Sequence, residues 1–294
     1  MRNAVCIAML VTLGVAVASS PLLAFPVTAV DDRGQEITID AAPQRIVAVG
    51  ALYAQILVDV GAVGRLVAVA DSADNPPEVS GLPSVGPAFS PSVEAILGLD
   101  PDLVLGPTDW GGERPALESA GVTVLSTPWI TSTSSIFDAV RTVGAAVGEA
   151  LAADLLVGGI AEEILEAEIE VLGAEAVPTA FLYASSPTDP PYAAGSDAIE
   201  HELIVRAGGT NVFSELQWAP QVSFEEIIAR DPHVIFTASS QVENVLGSVF
   251  LQSVTAVAEG RVFGINASLV TSTRVAAAFR QILIGLHPNT ADGP

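Results

Sequence analysis

From Val27 to Asp40 apolar and polar residues alternate around a turn at Asp32-Arg33-Gly34, which predicts a β-hairpin. Short continuous apolar runs then take over, each followed by a stretch with helical spacing. Strands are expected at Ile46–Val49, Leu66–Ala70, Leu103–Leu105 and Val122–Leu125, and helices at Ala51–Val60, Ser92–Leu99 and Glu113–Ala120. This alternation predicts a mostly parallel sheet with helices on its faces.

The middle of the chain differs. From Ile136 to Leu172 strand signals vanish, and apolar residues recur at Ile160, Ile164, Leu165, Ile169 and Leu172. One helix is expected from about Phe137 to Val147 and a longer one from about Ala150 to Leu172, either a strut between two lobes or a surface helix of one of them. Its place midway between two similar halves favours the strut. Alternation resumes with strands at Thr179–Tyr183, Val234–Thr237 and Arg261–Ile265, and helices at Asp197–Ala207, Ser223–Ala229 and Val275–Leu286, before a tail from His287 that is expected to fray.

The halves share a motif. PSVEAILGLDPDLVLG, Pro91 to Gly106, returns as VSFEEIIARDPHVIFT, Val222 to Thr237, with Ser, Glu, Ile, Asp and Pro in register. Each copy reads as a short helix with a glutamate in its first turn, an Asp-Pro break and an apolar strand. A single pair is not a solenoid, so the expected fold is α/β: two lobes with mostly parallel sheets, bridged by one long helix, with a cleft between them. The divisions are 1–24 for a signal peptide, 25–149 for the N-terminal lobe, 150–173 for the bridging helix and 174–294 for the C-terminal lobe.

The leader carries one charge, Arg2, and an apolar run from Ala4 to Ala18, short of the ~20 residues that span a bilayer. This pattern is an export signal, with cleavage after Ala18 or Ala24. Cys6, the only cysteine, lies inside it, so the mature chain has no disulfide, thiolate metal site or cysteine nucleophile. All 11 basic residues are arginine, against 34 acidic ones, for a formal charge of −23. Nucleic acid is excluded as a partner by that balance, which suits either an arginine-bearing partner or simple solubility in salty surroundings.

The hairpin followed by PQRIVAVG, the central helix, the repeat, and AGSDAIEHELIVRAGGTNVF with WAPQVSFEEIIARDP together resemble the bacterial substrate-binding proteins of ABC importers for cobalamin, ferric siderophores and haem. The resemblance covers about Phe25 to Leu286 and is nearest to the cobalamin-binding members. It implies an exported, periplasmic monomer that holds its ligand between two lobes with little closure and delivers it to a membrane permease, without a cofactor of its own. It also implies that Glu94 and Glu225 stand on the outer faces of the lobes and pair with permease arginines. Helix-dipole complementarity is the alternative for both, with Ser223 and Glu226 forming a capping box.

Loops after the strands face the cleft in such a fold. The resemblance places Trp110 and Trp218 at positions lining a corrin site, Phe89 near one, and Tyr192 in an aromatic-bearing Pro-rich turn. Flat apolar faces of this kind suit a macrocycle. For a siderophore, Arg114 is the candidate cation, or else an ordinary surface residue at a helix start; for haem, Tyr192 and His201 are candidate iron ligands. His201, His233 and His287 are too scattered for a dedicated metal site. GxSxG, Walker and GxGxxG motifs are all missing, which leaves a carboxylate-dependent hydrolase as the enzymatic alternative and a ligand-presenting sensor as a third.

Overall fold

The computed structural model describes residues 25–106 and 112–288. Strands β1 (Val27–Val30) and β2 (Glu36–Ile39) form the expected antiparallel hairpin, with Val30 opposite Glu36. Its turn is closed by Asp31, whose Oδ1 accepts from Arg33 N and Gln35 N, both at 2.8 Å.

β3 (Ile46–Ala48), β4 (Leu66–Asp71), β5 (Ser84–Pro87), β6 (Leu103–Leu105) and β7 (Val124–Leu125) make a parallel sheet in the order β5-β4-β3-β6-β7. Every residue of β3 and β6 is buried, as expected for strands covered by helices on both faces. The second sheet is built from β8 (Val177–Tyr183), β9 (Tyr192–Ala193), β10 (Gly209–Asn211), β11 (Val234–Ala238) and β12 (Val262–Ile265). Its order is β10-β8-β11-β12, all parallel, with β9 added antiparallel to β8. The short strands β5, β9 and β10 were not expected, because β5 (SVGP) and β10 (GTN) each carry a single strand-favouring residue among Gly, Pro, Ser and Asn, and β9 is only two residues long.

The repeat folds alike in both lobes. Ser92 caps the helix Val93–Leu97 by accepting from Ala95 N, and Ser223 caps Phe224–Arg230 by accepting from Glu226 N. Asp100 and Asp231, the residues before proline, both take left-handed backbone, φ 49° and 44°, and turn the chain into β6 and β11. Aspartate tolerates that region better than most side chains, and proline stops the helix from continuing. The capping box expected at Ser223 is only half present, since the Glu226 carboxylate accepts from Arg230 Nη2 at 2.8 Å instead of turning back to Ser223 N. A full capping box occurs elsewhere, between Ser132 and Ser135, and it starts the next helix at Thr133, earlier than the apolar spacing suggests.

That helix, Thr133–Ala146, packs against the long helix Ala150–Glu170, which also packs against Val275–Leu286. The long helix therefore touches both lobes, as a strut does. Its 21 residues span about 30 Å, and Ala153, Val157, Ile160, Ile164 and Ala167 form its buried stripe. His287 is part of the fold and not of a frayed tail: its backbone N donates to Leu283 O, and its Nε2 lies 3.0 Å from Ala207 O.

Arg114 overturns its expectation. It is fully buried, neither a surface residue nor a ligand contact. Its guanidinium donates to Asp31 Oδ2, to Asp32 Oδ1 at 2.8 Å, to Ser126 Oγ and to Glu118 Oε1 at 2.9 Å, and so fastens the hairpin to the first sheet.

Candidate functional site

The floor of the first lobe's site is set where β3 and β6 end. Gly106 has φ 74°, and a Cβ there would lie 2.6 Å from Val49 O and 2.8 Å from the Tyr53 ring, so only glycine lets Tyr53 pack across the strand ends. The Tyr53 hydroxyl accepts from Thr127 N at 3.2 Å and lies 3.3 Å from Thr127 Oγ1, which holds the loop after β7 in place. Burial pushes the Tyr53 phenol above its ordinary range, so it stays neutral. Over this floor lies a cavity of about 230 Å³ whose walls include Phe89, Trp129, Ile130 and Thr271. Thr271 comes from the C-terminal half of the chain, and the rest of the lining comes from the first lobe, so the cavity is a first-lobe pocket that Thr271 borders.

On the second lobe the aromatic groups stand on two loops zipped together. Ala193 N donates to Pro220 O at 3.0 Å, Val222 N to Pro191 O at 2.9 Å, and Gly195 N to Trp218 O at 2.6 Å. Gly195 is required for that approach, because a Cβ would lie 2.3 Å from Leu216 O. The zipper fixes Tyr192, at the start of β9, beside the loop that carries Trp218, which is itself at φ 60°.

Phe89 is 62% exposed and Trp218 61%, while Trp129 and Tyr192 are each about half exposed. These rings are open to solvent and do not plug the core, in contrast to Phe181, Phe213, Phe236 and Phe279. Among the described residues, no charged side chain lines the cavity. Its chemistry is apolar and neutral, suited to a flat face and not to an acidic chelate.

Trp110 lies outside the described residues. Phe89 lines the cavity; Tyr192 and Trp218 do not, and stand together on the second lobe. Trp129 and Tyr53 also belong to the cavity and were not singled out from the sequence. Trp129 follows β7, and the rule that loops after strands face the cleft points to it. His201 is half-buried, its Nδ1 accepting from the Asn211 amide at 3.2 Å, and it does not line the cavity. No group of three His, Cys, Asp or Glu among the described residues is arranged to hold a metal ion.

Away from the cavity, Glu94 and Glu225 sit at matching places on the two repeat helices. Both are exposed, and among the described residues neither takes part in a salt bridge. Their neighbour Glu226 differs, being paired with Arg230, which also binds Glu215.

Comparison with known proteins agrees with this architecture. Residues 46–269 match the family model described as periplasmic binding protein. The cobalamin-binding protein of Halobacterium salinarum is 27% identical over 281 residues, covering 90% of this chain and 75% of that one. The vitamin B12-binding protein of Salmonella typhi is 30% identical over 178 residues, 58% of this chain and 64% of its own. Among solved structures, the periplasmic haem-binding protein from Roseiflexus in apo form superposes with a TM-score of 0.74 at 24% identity, covering 84% of this chain and 99% of that chain. At that identity the likeness speaks for the fold alone.

Proposed function

The chain belongs to the periplasmic binding protein family, and on that premise we propose that it captures a corrinoid, cobalamin first, and hands it unchanged to an ABC importer. The observation that carries the ligand class is the pair of exposed aromatic rings, Phe89 and Trp129, in the wall of a cavity that no charged side chain lines among the described residues, with the exposed rings of Tyr192 and Trp218 standing together on the second lobe. Aromatic faces bury large area on a flat macrocycle with little ordering cost. The relatives that bind cobalamin or vitamin B12 support the choice.

A ferric siderophore fits less well, since the one cation considered for it, Arg114, is consumed in a buried network. Haem is the second reading, favoured by the exposed phenol of Tyr192 as an iron ligand. Tyr192→Phe separates the two: it removes a haem charge-transfer band and leaves a corrinoid bound.

Residues 1–24 act as the export signal, and among the described residues no helix is long and apolar enough to cross a membrane. In this role the exposed carboxylates Glu94 and Glu225 meet arginines of the permease, one from each lobe, by charge-assisted bidentate pairing. Native mass spectrometry of the protein purified from its own host tests the cargo: a one-to-one corrinoid adduct is expected, and a haem or siderophore mass contradicts it.

A further inference from the structure

Each repeat helix carries more than its glutamate outward. Three residues after Glu94 stands Leu97, and three after Glu225 stands Ile228, both exposed. Residues spaced three apart share a helix face, so each lobe presents a carboxylate beside an aliphatic group. The second lobe adds to this. After the helix Val242–Leu246 the chain turns at Gly247 and exposes Val249 (75%) and Phe250. The Phe250 ring stacks on Phe224 at 4.6 Å between centroids and 19° between planes, and Phe224 immediately precedes Glu225. The first repeat has Val93 in the place of Phe224, so the extension belongs to the second lobe.

Resting on the docking role of Glu94 and Glu225, we propose that the permease also takes up the apolar groups beside them, and that Val249 and Phe250 make the second lobe the dominant half of the contact. The partner's chemistry follows from charge and shape. A surface with formal charge −23 repels acidic and anionic neighbours, and the two unbridged carboxylates call for arginine. An aromatic ring already held by stacking loses little rotamer freedom on burial, which is how a few aromatic groups come to dominate an interface. The permease therefore carries, next to each receiving arginine, an apolar hollow, with the one against the second lobe filled by Phe250.

The test is association of the mature protein with its cognate permease and ATPase in nanodiscs, read by biolayer interferometry. Val249→Ser and Phe250→Ala are each expected to weaken association by about tenfold, and Leu97→Ser and Ile228→Ser by about threefold. Leu165→Ser, on the exposed side of the long helix, is expected to change nothing. Val249 is exposed enough that its substitution leaves the melting temperature unaltered, which keeps the test independent of folding. Wild-type association in Val249→Ser and Phe250→Ala, with loss in Glu94→Ala/Glu225→Ala, overturns the apolar contact while the docking of the carboxylates stands. Wild-type association in the double glutamate variant removes the docking role and this contact with it. Equal binding to empty nanodiscs identifies the patch as lipid-adhesive and also overturns the proposal.

Discussion

Asp59 and Arg274 join the two lobes: Arg274 Nη1 donates to Asp59 Oδ2 at 2.8 Å and Nη2 to Oδ1 at 2.7 Å, and Thr273 Oγ1 adds a third bond at 2.6 Å. Asp59 ends the helix Ala51–Asp59, and Arg274 precedes Val275–Leu286. The reverse arrangement is built from the other side. Glu202 of the second lobe accepts from Thr133 N at 2.9 Å, at the start of the helix Thr133–Ala146, and Arg206 Nη1 donates to Thr133 Oγ1 at 3.0 Å. Each lobe thus sends one carboxylate to a helix start on the other, which holds the cleft at a set width.

Asp59→Ala is expected to lower unfolding stability by about 1 to 3 kcal/mol, because it takes the acceptor from the buried Thr273 hydroxyl and removes both bonds to Arg274. Arg274→Ala, removing the half-exposed partner, is expected to cost less, under about 1 kcal/mol. Urea denaturation measures both. Equal small losses would show that the bidentate contact contributes no more than a surface ion pair.

The buried network at Arg114 gives a larger effect. Arg114→Leu takes the shared guanidinium from Asp31, Asp32 and Glu118, and a loss of about 3 to 5 kcal/mol is expected, with ligand affinity in the surviving folded protein unchanged. The network is also acid-sensitive. Burial raises the Asp31 carboxyl, but the hydrogen bonds from Gln35 and Arg33 and the charge of Arg114 outweigh it and hold Asp31 below its ordinary range. Glu118 is likewise held low: burial opposes, while Arg114 and Arg33 prevail. Depressed carboxyls contribute stability that is complete above their unfolded values, about pH 4, and is lost as pH falls through the folded ones. The gap between wild type and Arg114→Leu in urea midpoint should therefore narrow from pH 6 to pH 3; a constant gap would contradict the network.

Glu200 works in the opposite sense. Burial raises its carboxyl, more than the hydrogen bond from the Tyr183 hydroxyl at 2.6 Å lowers it. A raised carboxyl costs stability as pH climbs from the unfolded value through the folded one. Glu200→Gln is expected to be neutral or stabilising at pH 7 and to lose that advantage below about pH 4. Thermal melts across this range measure it, and a clear destabilisation at pH 7 would mean that the ionised carboxylate is needed by the fold.

The repeat was legible because its signals are local. Ser before the helix, Asp-Pro after it and an apolar strand beyond are chemical punctuation within sixteen positions, and both copies fold accordingly. The fate of Arg114 was not legible, since its partners Asp31 and Asp32 lie in the distant hairpin and no spacing rule links them. Trp129 was missed for a related reason: a tryptophan after a short strand looks the same whether it covers the core or opens onto a cleft. Only the placement of Gly106, Tyr53 and Thr127 beneath it makes the difference. The half-made capping box at Ser223 shows the same limit, because Arg230, one turn on, competes for the Glu226 carboxylate.

If Trp218 and Phe89 hold the ligand, Trp218→Ala and Phe89→Ala should each weaken binding by about 1 to 3 kcal/mol while changing stability by less than about 0.5 kcal/mol, as for exposed groups outside the core. Isothermal titration beside thermal melts separates the two quantities. A fall in melting temperature with unchanged affinity would make these rings structural.

In the proposed role the protein takes up a corrinoid and releases it unaltered. Titration of the purified protein with cobalamin, haem and a ferric siderophore, followed by tryptophan fluorescence, tests this role. Saturable quenching by cobalamin at one equivalent, with the ligand recovered chemically intact, is the predicted result; quenching only by haem or the siderophore, or by none of the three, would contradict it.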